Sequence, residues 1–375
     1  MDSLPQELID KIIDHLPDSD THSYSLIAKP WRQRSQQHYF ASVVFSREEY
    51  VVRWCKNIPQ DPDGIPSYVR SVQFLSIHSW REPVLFGRIL KVFTSMTNLQ
   101  ITDTDIPQPD EVPGSVPFGE FGEKIKALTL WSTRCTIATI GSLVFSLPNL
   151  EDLFLAGKVP REPPTILPHA SRRGPLASLQ LYTTASGVGA SLAQSGLESY
   201  KLYLFVSDLG LEQVLAASSK VVVVLELCGA WLPGIIKEQR RYSRVSDDES
   251  PMVPQANRFP PTPLPALTTI DIGFYSEPSN YLADILSSIH SAPALATVNF
   301  VCEEWYSGET FPSSGPWASV DKWLARMATQ VAVKGNIVVT LERWPDGGSA
   351  WEEYFPEFRK AGGELRVTTI VGEGG

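Results

Sequence analysis

Ile125-Lys126-Ala127-Leu128-Thr129-Leu130, Leu150-Glu151-Asp152-Leu153-Phe154-Leu155 and Leu176-Ala177-Ser178-Leu179-Gln180-Leu181 are three copies of one hexad, apolar at its first, fourth and sixth positions. Positions four and six of an extended segment point to the same side, so each hexad reads as a short strand with one buried and one outward face. Frames of this kind start at Phe40, Val69, Met96, Ile125, Leu150, Leu176, Leu197, Val222, Leu267 and Leu295, with weaker ones near Ile337-Val339-Leu341 and at Leu365-Arg366-Val367-Thr368-Thr369-Ile370. Successive strong frames lie 21 to 29 residues apart, except for one interval of 45 between Val222 and Leu267. A near-constant period means one supersecondary unit used repeatedly, each copy burying its apolar edge against its neighbours.

Between the hexads, residues 84–93, 136–145, 281–290 and 320–333 carry apolar residues at helical spacing. Strand, crossover helix and parallel strand at this period predict an α/β solenoid. The pattern resembles the leucine-rich-repeat family in an irregular form, over roughly residues 40–371. That resemblance implies parallel strands on a concave face and helices on a convex one. The chain departs from the family where regular repeats place Asn or Cys three residues after the hexad: Thr104, Thr133, Lys158, Thr184 and Ala230 stand there. Uniform curvature is therefore not expected.

The N-terminus has a different pattern. Leu8, Ile9, Ile12, Ile13 and Leu16 share one stripe of a helix whose other face carries Glu7, Asp10, Lys11 and Asp14. Pro5 suits a first helical turn, and Ser3 with Gln6 could form a capping box. Pro17 and Asp18-Ser19-Asp20 stop this helix and offer caps for a second over residues 21–28, after which Pro30 can open a third running from Trp31 toward Phe40. Three helices in forty residues bury little surface, so such a unit leans on a partner or on the rest of its chain.

Leu4-Pro5, Glu7-Leu8, Ile12, Leu16, Leu26-Ile27, Trp31-Arg32 and Phe40, in that order, resemble an F-box, the motif that attaches its bearers to the Skp adaptor of cullin-based ubiquitin ligases; Pro30 before the tryptophan is unusual for it. The resemblance covers about a tenth of the chain. It implies an F-box module over residues 1–45 and a repeat region over 46–371. Adaptor contact would fall to Leu4, Pro5, Leu8, Ile9, Ile12, Leu16, Leu26, Trp31 and Phe40, with Trp31 and Phe40 shared between the contact and the module's core. Cullin would be reached through the adaptor, and an unidentified protein target would sit on the repeats. A scaffold that binds partners without directing ubiquitination is the alternative within the same family.

Composition narrows the classes. A chain that is 43% hydrophobic and 20% charged is an ordinary folded protein. A net charge of −10 disfavours nucleic acid and anionic membrane as partners. Met1-Asp2-Ser3 has neither a basic start nor an apolar core of a leader, and Val221–Leu225 is too short an aliphatic run to span a bilayer, so a cytoplasmic or nuclear location is expected. Cys55, Cys135, Cys228 and Cys302 are far apart and form no C-x-x-C pair, and the six histidines never reach metal-ligand spacing. No nucleophile elbow, phosphate loop, H-E-x-x-H or dinucleotide fingerprint occurs, so binding rather than catalysis is expected, with no cofactor.

Residues 232–265 fill the long interval with Lys237, Arg240, Arg241 and Arg244, then Asp247-Asp248-Glu249, then six prolines, and read as a loop; residues 161–175 read as another. Arg240-Arg241-Tyr242-Ser243 and Ser246-Asp247-Asp248-Glu249 fit kinase patterns, but such short matches arise by chance. The seventh residue of each unit points outward: Leu75, Thr102, Trp131, Ala156, Tyr182, Tyr203 and Cys228. Trp131, Tyr182 and Tyr203, with Phe154 at an adjacent outward position, form a candidate aromatic strip for a target. The competing possibility is that loops fold over and bury these rings.

Overall fold

The computed structural model describes residues 5–16, 23, 29–57, 64–78, 80–107, 117–133, 135–157, 174–183, 188–205, 211–228, 261–274, 280–302, 316–331, 337–342 and 355–368. They fall into two compact units, Met1–Gly174 and Pro175–Gly375. The fold is mixed α/β in both.

The first unit begins with helices α1 (Gln6–Asp14) and α2 (Lys29–Tyr39). Five strands follow: β1 (Ser42–Phe45), β2 (Ser71–Leu75), β3 (Asn98–Thr102), β4 (Ala127–Trp131) and β5 (Asp152–Gly157). Each pairs in parallel with the next, in register with the hexads. Fourth-position Val43, Val72, Leu99, Leu128 and Leu153 make one buried row, and sixth-position Phe45, Phe74, Ile101, Leu130 and Leu155 make a second. Parallel neighbours need crossover connections, and these are right-handed almost without exception. An order that never reverses therefore puts every crossover on one side of the sheet.

The helices Glu48–Asn57, Val84–Val92 and Ile137–Phe145 supply that side. The last two match the expected 84–93 and 136–145. Thr136 starts its helix by accepting from Thr139 N at 3.1 Å. At the N-terminal end the core is aromatic: Phe45 stacks on Phe74 (5.6 Å between ring centroids), Trp54 meets Phe45 edge-on (5.8 Å), and Phe74 lies 5.1 Å from Phe86.

The repeat is visible in the backbone as well. Ser76, Asp103, Ser132 and Gly157, each the eighth residue of its unit, all have positive φ. The first three donate their N–H to the next strand, Ser76 to Thr102 O (2.9 Å), Asp103 to Trp131 O (2.8 Å) and Ser132 to Ala156 O (2.8 Å), so the left-handed turn prolongs the ladder. At Gly157 (φ +83°) a side chain is barred on a second ground, because a Cβ would run into Ser132. One residue after Ser76 and Asp103, bridging falls to threonine: Thr104, fully buried, accepts from Ile77 N (3.1 Å) and donates to Thr102 O (2.8 Å). A hydroxyl thus ties consecutive units together at the site where regular repeats use an amide.

The second unit contains β6 (Leu176–Thr183), β7 (Ser199–Phe205), β8 (Val224–Cys228), β9 (Thr262–Pro263), β10 (Thr269–Phe274), β11 (Ile289–Ser291), β12 (Thr297–Cys302), β13 (Val338–Glu342) and β14 (Glu364–Thr368). Strands β6, β7, β8, β10, β12, β13 and β14 pair in parallel in that order. Helices Asn280–Ser288 and Pro316–Gln330 occupy the two expected helical stretches.

Four details differ from the sequence reading. The frame at Leu197 is two residues early: Leu202 and Leu204 are the buried pair, Tyr200 is 45% exposed, and Ser199 holds position one. Ser199 is fully buried because its hydroxyl donates to Lys201 O (2.7 Å), so a satisfied polar residue stands where an apolar one was sought. The frame at Leu365 is three residues late, since Leu365 pairs with Val339. Thr262–Pro263, within the stretch read as loop, pairs with β11, and β11 ends the preceding helix before His290. The remainder of the insertion through residue 260, including 240–249, and residues 161–173 lie outside the described residues.

Candidate functional site

Helix α1 is fastened to α2 at both ends. At its start Gln6 donates through Nε2 to Pro30 O at 3.0 Å. At its end Asp14 accepts from Arg34 Nε (2.7 Å) and Nη2 (2.8 Å), and pairs with His38 Nε2 at 2.8 Å. The Arg34 hydrogen bond, followed by that of His38, pulls the Asp14 carboxyl down to about 2 and raises the Arg34 guanidinium in turn. Between the two fastenings Ile9, Ile13 and Trp31 form a small core, with Leu16 packed at its margin.

This arrangement divides the apolar stripe. Ile9 and Ile13 point inward, while Leu8 (46% exposed) and Ile12 (42% exposed), one turn apart, point to solvent. Pro5 is exposed beside them and precedes the helix as its N-cap, rather than opening its first turn. No side chain caps this end; the Gln6 amide turns to Asp10 and Pro30 instead, and Ser3 lies outside the described residues. Leu8, Lys11, Ile12, His15 and Leu16 line a shallow depression of about 450 Å³. Apolar side chains held outward on a fixed helix can dock into a partner groove at i and i+4.

Of the residues expected at the adaptor contact, Pro5, Leu8 and Ile12 are therefore exposed, and Leu16, half-buried against the core, lines the edge of the depression. Ile9 (2% exposed) and Trp31 (7% exposed) are not: they fill the core between α1 and α2, because the inward half of the stripe has to be covered first. Phe40 is half-buried and meets Tyr39 (4.9 Å) and Trp54 (6.3 Å) edge-on, so it belongs to the junction with the first repeats. Leu4 and Leu26 lie outside the described residues. The Asp14, Arg34 and His38 cluster was missed from the sequence, since no spacing rule joins residues twenty or more apart on two helices.

The outward strand faces carry the other candidates. In the first unit Trp131 and Phe154 lie on neighbouring strands, both half-buried, with ring centroids 6.0 Å apart at 31°. In the second unit Tyr182 and Tyr203 are both half-buried, on β6 and β7. The corrected register moves Tyr203 from the seventh position to the fifth, opposite Gln180 and Glu226, so it lies one rung away from Tyr182 rather than beside it. Beyond Glu226 the same rung continues with Asp271 and Asn299, whose Nδ2 donates to Asp271 Oδ1 at 2.6 Å. None of the four aromatic rings is fully buried.

Among the described residues no cluster of His, Cys, Asp and Glu is placed to hold a metal ion, and no helix is long and apolar enough to cross a membrane. No family model matches the chain, and neither does any curated protein.

Proposed function

We propose that this chain is the substrate-recognition subunit of a Skp-cullin-F-box ubiquitin ligase, docking on the Skp adaptor through α1 and holding a protein target on the outward, concave faces of leucine-rich-repeat-like units. The observation that carries the reading is the outward pair Leu8 and Ile12 on a helix fastened at both ends. An exposed leucine and isoleucine one turn apart lose free energy to water that burial in a partner recovers, roughly 1.5–3 kcal/mol for each fully covered side chain. The F-box resemblance of Leu4-Pro5, Leu8 and Ile12 names the partner. The mechanism is proximity: a receptor of this kind forms no covalent intermediate and raises the effective concentration of its target near the ubiquitin-charged enzyme.

The test uses the full-length chain with Leu8→Asp and Ile12→Asp together. Both positions are exposed, so thermal unfolding should be unchanged while the adaptor disappears from co-purified material and cullin disappears with it. Retention of the adaptor at wild-type level overturns the reading. Truncation is a poorer tool, because a cut after residue 45 removes β1, strips β2 of its neighbour and unstacks Phe45 from Phe74.

A further inference from the structure

A larger hollow, about 610 Å³, opens between α2, the short helix Ile65–Tyr68 and the start of β2. Its walls carry Arg34, His38, Arg70, Ser67, Tyr68 and Ser95. In a chain of net charge −10, not one of its described lining residues is a carboxylate. We infer that this hollow is a binding site for a phosphate monoester.

Two of its groups, Arg34 and His38, come prepositioned. Arg34 is held by both oxygens of Asp14, and its Nη1 donates to Gln37 Oε1 at 3.1 Å, which uses three of the five guanidinium hydrogens and leaves two. Asp14 also holds the His38 ring at 2.8 Å. Arg70, exposed on the segment leading into β2, has no carboxylate partner among the described residues. Its backbone is fixed, since its carbonyl accepts from both Thr97 N (2.9 Å) and Asn98 N (3.0 Å). Two guanidinium groups, one on α2 and one leading into β2, with the hydroxyls of Tyr68 and Ser95 in the same lining, suit a dianion with three terminal oxygens better than a carboxylate with two; the Ser67 hydroxyl already donates to Gly64 O at 2.7 Å. The volume exceeds what a bare phosphate fills, so an organic remainder is accommodated. The ligand would bridge α2 to the segment leading into β2.

Two sources share this chemistry, a free sugar phosphate and a phosphoserine side chain in a peptide. Isothermal titration of the full-length protein at fixed ionic strength separates them, with glucose 6-phosphate in one arm and a pentapeptide centred on phosphoserine in the other, each beside its unphosphorylated parent and inorganic sulfate. At least one monoester should bind while its parent and sulfate do not, and the arm that responds identifies the source. Arg70→Gln should weaken binding about tenfold or more, and Ser95→Asp should abolish it by setting a carboxylate in the hollow. Arg53→Gln, on an exposed residue outside the hollow, should leave binding unchanged. Silence from both monoesters, equal affinity for sulfate, or undiminished binding by both the Arg70 and Ser95 variants overturns the assignment. Leu8 and Ile12 do not line this hollow, so either outcome leaves the adaptor reading to its own test.

Discussion

Arg34 reaches from α2 to the last residue of α1 and grips both oxygens of Asp14, Nε to Oδ1 at 2.7 Å and Nη2 to Oδ2 at 2.8 Å. A bidentate pair fixes direction as well as distance, so it sets the pitch of one helix on the other. With Gln6 at the opposite end, it is why Leu8 and Ile12 stay outward while Ile9 and Ile13 stay inward.

The first prediction is a pH dependence. The Asp14 carboxyl titrates at about 2 in the folded chain against 3.8 for the free side chain, so as pH falls the unfolded state takes up the proton first. The pair therefore contributes stability above about pH 4 and loses it as pH falls through about 2. Both side chains are about a third exposed, so solvent screening keeps the contribution to roughly 0.5–1 kcal/mol. Thermal melts of wild type and Asp14→Asn should differ at pH 6 and converge near pH 2; an equal gap at both would remove Asp14 as the titrating group.

Thr104→Val keeps the shape and deletes the hydroxyl that accepts from Ile77 N. A buried amide left without its partner costs about 1–3 kcal/mol. Hydrogen exchange of the Ile77 amide should accelerate in step with the drop in stability, whereas a drop without faster exchange would point to packing instead.

Two glycines separate backbone strain from collision. Gly157 and Gly196 have φ of +83° and +80°, but a Cβ meets Ser132 only at Gly157, and nothing lies within 4 Å at Gly196. Gly196→Ala should cost about 1–2 kcal/mol for the left-handed conformation alone. Gly157→Ala should cost clearly more, and comparison of denaturant midpoints reads the difference. Equal costs would mean that Ser132 yields freely.

Asp321, 3% exposed, accepts from Glu357 N (3.0 Å) and Phe358 N (2.8 Å) and so caps the helix Pro356–Lys360 from a distant part of the chain. Asp321→Ala should cost about 1–2 kcal/mol for the lost cap. Faster exchange of the Glu357 and Phe358 amides is the local signature; unchanged exchange there would dissociate the carboxylate from the helix end.

Much of this architecture is legible in the hexads, because a buried strand face needs apolar residues at fixed positions and these recur too regularly for chance. The pattern failed where a polar residue met the burial requirement by other means. Ser199 is buried through hydrogen bonds, so a search for apolar residues slid two places to Leu197 and carried Tyr203 with it. The α1 stripe posed a different problem. All five of its apolar residues lie within one arc, and periodicity cannot say which half a neighbour covers; Trp31, fifteen residues beyond Leu16, decides that. Thr262–Pro263 escaped because two residues carry no periodic signal at all.

The unreversed strand order also bears on how the chain comes to be folded. Within each unit nearly every described strand pairs with one made shortly before it, and the longest gap between paired strands among the described residues is the 45 residues that separate Val223 from Thr268. Long-range closure is what slows folding, and a ladder of short closures needs little of it. Each unit can settle onto its predecessor as it leaves the ribosome, and α1 and α2 are complete before β2 exists.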